Sequence, residues 1–408
     1  MVWLPILHGE RSARAEQLIL TIAEQTSVAD FEHEPTGVAS GSLGSALLLA
    51  YVAKAWPSAN SHRRAALSLR DSLNTPQHAR LLTDPGLFTG FPGLMWLVAH
   101  LPWLTGDDTK QVLEQAERAV LSALAEPWQR SFCYAEGLIG LGVFLLERPE
   151  SEQNNLALGR IVQHLRSLSQ QIGAGVSWLR SRESFPYGAR PATDVYDLGV
   201  PRGVAGAIAF LARATLRPSL RAISEPLLRS AVSWFEQQQS AAHAWGRYGA
   251  HFAPGDAAPP ATRLGWCYGD LGISLVLLGA ARALGDVQLE QRAIELAALS
   301  SLRSGVDTEI EDAGFCHGAA GAGHLYARLY AATGDQRFMR VAQRWFDVAL
   351  AMHPGDDGQF SAFYSSAESL EFQRRARPGL LMGNAGIALC FLSACRAVAP
   401  DWDRYFLL

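Results

Sequence analysis

Gly269-Asp270-Leu271-Gly272 runs directly into Ile273-Ser274-Leu275-Val276-Leu277-Leu278, so a Gly-x-x-Gly stands in front of an apolar stretch of helical length. The arrangement recurs at Gly41/Gly44, Gly90/Gly93, Gly137/Gly140, Gly203/Gly206, Gly318/Gly321 and Gly383/Gly386. A single instance carries little weight. Seven, at spacings of roughly 50 to 65 residues, are an internal repeat. The runs after the glycines, such as Ser45 to Tyr51 and Ile387 to Leu392, are apolar nearly all round, which predicts buried helices. Between them, 12–26, 62–73, 107–124, 153–172, 219–238, 286–299 and 335–352 mix charges with apolar residues at helical spacing. Asp107, Ser219, Asp286 and Asp335 stand where helix caps are expected. Seven buried helices alternating with seven amphipathic ones predict an all-α closed double ring, buried helices inside, in one domain over 1–408. The inner helices would then begin at one end of the ring. Their partial positive charge there favours anions or thiolates.

Working outward, the 408 residues are 49% hydrophobic and 18% charged, enough apolar surface for a large core and too much for disorder. A net charge of −4 argues against nonspecific nucleic-acid binding, which needs clustered positive charge. The start, Met1-Val2-Trp3-Leu4-Pro5, lacks the basic and apolar regions of a signal peptide, and no run has the length of a membrane span. A cytoplasmic protein with no membrane insertion is expected. Five cysteines in a chain this long do not suggest a disulfide framework, and Cys390 and Cys395 read as small core hydrophobes. The long intervals 173–197, 241–263 and 353–377 are rich in Gly, Pro, Ser and Arg, and long loops are where function concentrates.

Two of the repeats carry chemistry. One reads Arg263-Leu264-Gly265-Trp266-Cys267-Tyr268-Gly269, the next Gly314-Phe315-Cys316-His317-Gly318. Cys267 and Cys316 hold the same register before the glycine pair, and His317 adjoins one of them. Two thiolates and an imidazole are good zinc ligands, and three protein ligands leave a fourth position open, as a catalytic zinc requires. For either cysteine alone, a buried small residue beside a turn is the better reading. The shared register with the adjacent histidine reverses that.

The seven glycine pairs, Trp266-Cys267-Tyr268-Gly269 and Cys316-His317-Gly318 resemble the lanthionine synthetase C-like family, from about Gly37 to Phe391. The resemblance implies an α/α toroid with one Zn²⁺ held by Cys267, Cys316 and His317, and with Arg263 and Tyr268 at further active-site positions. It also implies a cyclase that adds peptide cysteine thiols to dehydroalanine or dehydrobutyrine, forming the thioethers of lanthipeptides. The substrate would be a ribosomally made, dehydrated precursor peptide. A separate dehydratase and an exporter would be partners.

The chain departs from the family pattern at two places. Val200-Pro201-Arg202-Gly203 puts Arg202 where the family has a histidine, and Phe132-Cys133-Tyr134 puts Cys133 where it has an aspartate. Those positions handle protons in the cyclases, a role that typically contributes about 10²- to 10⁴-fold. Arg202 is a poor acid or base but suits an enolate or a carboxylate. Cys133 is either an unligated thiol or a fourth zinc ligand that closes the site. Glu136, Tyr268, Asp197 and His251 are the candidate replacements. The alternative function is a non-catalytic peptide-binding scaffold of a biosynthetic complex. Addition of a small thiol to a dehydroamino acid is a weaker third. A six-hairpin glycosidase would need paired carboxylates where this chain offers Cys and His. Arg180, Arg182, Arg190 and Arg202, with Arg374, Arg375 and Arg377, are either a docking site for an acidic peptide or solvated surface.

Overall fold

The computed structural model describes residues 3–26, 36–73, 78–105, 109–185, 190–240, 246–253, 262–352, 361–365, 372–376 and 378–408. Each first glycine of the seven pairs is the N-cap of a helix: Ser42–Ala55, Phe91–His100, Leu138–Glu147, Val204–Thr215, Asp270–Leu284, Ala319–Thr333 and Asn384–Cys395. These helices are buried along most of their length, as all-round apolar runs must be.

A tight turn precedes each helix and explains the glycines. In five of the seven the first glycine's N–H donates four residues back, for example Gly137 to Cys133 O at 3.1 Å, Gly203 to Gly199 O at 3.1 Å and Gly318 to Gly314 O at 3.0 Å. The turn thereby folds onto the helix start. A Cβ on Gly203 would lie 2.1 Å from Asp197 O, and one on Gly206 2.2 Å from Val200 O. At Gly203/Gly206, Gly269/Gly272 and Gly318/Gly321 both glycines are close backbone approaches; Gly269 alone among the N-caps also has positive φ, at 91°.

Two compact units emerge from the chain's contacts: 1–110 with 310–404, and 111–309 with 405–408. In the first, Asn384–Cys395 packs against Ala319–Thr333, Ser42–Ala55 and the amphipathic Gly9–Gln25, while Gln336–Ala351 covers Ala319–Thr333. In the second, Val204–Thr215 packs against both Leu138–Glu147 and Asp270–Leu284. Glu152–Leu168, Pro218–Glu236 and Val287–Ser300 each cover the apolar helix before them. Backbone bonds also link successive turns within each unit: Ala135 N to Pro201 O and Val200 N to Cys267 O in one, Cys316 N to Leu381 O and Leu381 N to Ala39 O in the other.

The amphipathic segments fold as expected, with local corrections. Asp286 and Asp335 cap as predicted, accepting from Leu289 N and Arg337 N. Ser219 does not, because Pro218 occupies the first helical position behind the N-cap Arg217. The helix expected over 153–172 ends at Leu168, and Gln170–Ile172 turns into a hairpin with Gly175–Ser177. Asp107 lies outside the described residues. Two further strand pairs join Tyr196–Asp197 to His251–Phe252 and Ser361–Ser365 to Phe372–Ala376. No helix among the described residues is long and apolar enough to cross a membrane.

One polar cluster is sealed in the first unit. Asp403 is fully buried and accepts from Arg328 Nε at 2.7 Å and Nη2 at 2.5 Å, with His324 Nε2 also 2.7 Å away. Burial alone would raise the Asp403 pKa, but the Arg328 charge and the His324 bond bring it below the usual carboxylate value. Burial lowers that of His324, so the ring is neutral at pH 7 and donates from Nε2. Asp403→Asn leaves the half-buried Arg328 guanidinium without its counter-charge. It is expected to cost about 3 kcal/mol in urea unfolding at pH 7. Stability from a depressed carboxylate is present above the unfolded value, about 3.9, and lost as pH falls through the folded one. The gap between Asp403→Asn and the unaltered chain should therefore narrow below about pH 4.

Candidate metal centre and active site

The turns before the helices present the site residues in a shared register. The position two residues before the glycine holds Ala135, Pro201, Cys267 and Cys316; the position one before holds Glu136, Arg202, Tyr268 and His317. Among the described residues, Cys267, Cys316 and His317 are a group that could hold a metal ion. Both cysteines are buried and His317 half-buried, and none of the five cysteines is in a disulfide. Two thiols and an imidazole without a carboxylate match zinc better than magnesium or calcium. Cys133, 4% exposed, is not a member of this group.

A second, shared feature of the turns escaped the sequence reading. Six residues before the first glycine stands a short polar side chain that accepts the N–H two residues on: Asp84 from Gly86 at 2.8 Å, Ser131 from Cys133 at 3.2 Å, Asp197 from Gly199 at 2.8 Å and Asp312 from Gly314 at 2.8 Å. The signal was present as Asp-x-Gly or Ser-x-Cys at constant register, an Asx-type turn. Arg263 occupies that register in the Cys267 repeat, and its Nε lies 3.9 Å from Glu309 with both groups exposed.

Asp197 carries more than its turn. Its second oxygen accepts from Arg180 Nη1 at 2.5 Å and from the Tyr268 hydroxyl at 2.9 Å. Arg180 is 9% exposed and its guanidinium stacks 3.6 Å from the Phe185 ring centre. Burial, then the Asp197 charge, raise the Tyr268 pKa far above the ordinary tyrosine value, so the phenol keeps its proton. His251 is paired with Asp197 through the backbone strand, not the side chain. Of the four candidate proton carriers, Tyr268 and Asp197 are thus bonded to each other. Glu136 is committed to Arg202, at 2.6 Å, on a more exposed surface. The helix-start Asp270 accepts from Arg247 N at 2.8 Å and Tyr248 N at 3.0 Å; burial raises its pKa.

The arginine-rich interval divides. Arg180 is in the buried pair, whereas Arg182 and Arg190 lie 3.5 and 3.0 Å from Glu183 on the surface. The side chains of Arg374 and Arg375, and all of Arg377, lie outside the described residues.

A family model for "lanthionine synthetase C-like protein" matches residues 32–407. No curated protein matches the chain. Among solved structures, nisin cyclase is similar with a TM-score of 0.75 and 17% identity, covering 97% of this chain and 96% of that one. A sugar epimerase from a ruminal bacterium follows at TM-score 0.47 and 12% identity, covering 80% of this chain and 98% of that one. The likeness to nisin cyclase shows the fold, all-α and of the α/α-toroid class.

Proposed function

Because the chain belongs to the lanthionine synthetase C-like family, we propose that it is a zinc-dependent lanthipeptide cyclase, joining peptide cysteines to dehydroalanine or dehydrobutyrine. The observation that carries this is the Cys267, Cys316 and His317 group at the register the resemblance assigns to the ligands. Zinc held there would lower the pKa of a substrate thiol toward neutrality. In the addition, the thiolate sulfur bonds to the β-carbon, the double-bond electrons move to an enolate, and the α-carbon takes a proton. The cationic Arg263 is suited to the developing negative charge, whereas the Tyr268 phenol, whose one proton is donated to Asp197, would serve it only by turning from that carboxylate. The proposed setting is a single cytoplasmic domain acting on a dehydrated precursor peptide beside a separate dehydratase and an exporter.

One observation favours a second reading, a peptide-binding scaffold that does not catalyse. Arg202 is paired with Glu136 and Cys133 is a buried thiol, so neither supplies an ordinary proton carrier at the two divergent positions. Zinc analysis with X-ray absorption tests the shared premise. One zinc per chain with two sulfurs and one nitrogen supports the cyclase. Three sulfurs would bring in Cys133 and favour the scaffold, and no zinc would sink the metal reading. Reversion then separates the two: the cyclase reading expects the unaltered protein to consume thiols of a dehydrated peptide, and Cys133→Asp with Arg202→His to change the rate less than about tenfold. Activity only in the double variant, with a gain of about 10²-fold or more, marks a scaffold.

A further inference from the structure

We infer that the turn 197–200 is a positioning device for the ligand Cys267 and its neighbour Tyr268, with Asp197 and Gly199 as positioning residues. The inference rests on the proposed zinc site and extends it to residues that the resemblance does not include.

Three separate contacts converge on the dipeptide from this one turn. Val200 N donates to Cys267 O at 2.8 Å and holds the backbone. The Tyr268 hydroxyl donates to Asp197 Oδ2 at 2.9 Å and holds the far end of the side chain. Between them the Tyr268 ring lies flush on the backbone of Gly199, where an added Cβ would stand 2.4 Å from Cε1 and 2.7 Å from Cζ. The turn is itself fixed. Asp197 Oδ1 accepts from Gly199 N at 2.8 Å, and Arg180 reaches Oδ2 at 2.5 Å from the long interval before this repeat. That interval therefore contributes a buried charge to the support of the site. Asp197 is 2% exposed, too enclosed to be a surface acid. A ligand whose backbone and adjacent side chain are both pinned loses less freedom on binding a metal, which is how groups behind the ligands raise affinity.

The test is zinc affinity of the full chain, by competition with a chromophoric chelator, for the unaltered protein, Asp197→Asn, Gly199→Ala, Tyr268→Phe and the Asp197→Asn/Tyr268→Phe double variant. Outer groups of this kind typically change affinity by about 10- to 100-fold. Asp197→Asn and Gly199→Ala are each expected to weaken zinc by about that factor. In the Tyr268→Phe background, Asp197→Asn should add little, because its effect passes through the hydroxyl. Should Asp197→Asn fail to fold, Gly199→Ala and Tyr268→Phe, which keep the Arg180 pair, carry the test. An equal loss from Asp197→Asn in both backgrounds overturns the inference, since general damage to the turn would then suffice. Unchanged affinity in the single variants of a zinc-binding protein overturns it alone. An unaltered chain that takes no zinc overturns it together with the metal reading.

Discussion

Cys316→Ala is expected to bind zinc on the order of 100-fold more weakly than the unaltered chain and to lose thioether formation. The magnitude follows from the metal. Zinc binding by small closed sites is worth about 10–16 kcal/mol, so one of four ligands carries about 3 kcal/mol, or two decades in affinity. The fold should survive, because the contact that Cys316 makes to Leu381 runs through its backbone N–H, which alanine retains. His317→Ala should behave alike. Cys390→Ala is the control: that thiol is fully buried in the Asn384–Cys395 helix, with a pKa raised by burial, and should leave zinc untouched. Chelator competition reads the affinity, and alkylation of residual thiols on a dehydrated peptide reads the reaction. Native zinc affinity in Cys316→Ala would remove Cys316 from the ligand set.

What could be read from the sequence follows the range of the interactions. The seven glycine pairs gave the helix starts to the residue, because the collisions they avoid are local: at Gly90, Gly137, Gly203, Gly269 and Gly321, for example, the carbonyl approached lies six residues back. The proposed ligand group was legible as a pattern for the same reason, since equal register before equivalent helices needs no knowledge of loops. Helix ends were less so. The apolar periodicity over 153–172 continues past Leu168, where strand pairing with Gly175–Ser177 takes over, and that pairing depends on a turn at Gly173 with positive φ. Least legible was the support of Tyr268. Arg180, Asp197 and Tyr268 are 17 and 71 residues apart, and only folding brings them to one oxygen. Arg180 looked like one more surface arginine because its neighbours Arg182 and Arg190 are just that.

Gly321→Ala is expected to destabilise the protein by about 4–5 kcal/mol, at the far end of what single substitutions do. An alanine Cβ there would stand 1.9 Å from Phe315 O and 2.5 Å from its carbonyl carbon. Both atoms are backbone, so no rotamer relieves the overlap, and the helix start must move off the turn. Gly279 offers the contrast within the same type of helix. It lies inside Asp270–Leu284 with nothing within 4 Å of an added Cβ, and Gly279→Ala should gain about 0.5–1 kcal/mol from helix propensity. Urea unfolding of both variants decides the matter, and a Gly321→Ala chain as stable as the unaltered one would refute close approach as the reason for the pairs. The consequence reaches the site because Cys316 and His317 lie between the two colliding residues. A methyl group at 321 cannot be accommodated without shifting the segment that carries both donors. Zinc should therefore be lost along with stability, although neither ligand is changed. Gly321, which builds this helix start, and the residues that would hold the metal are parts of one turn, so a change in either disturbs the other.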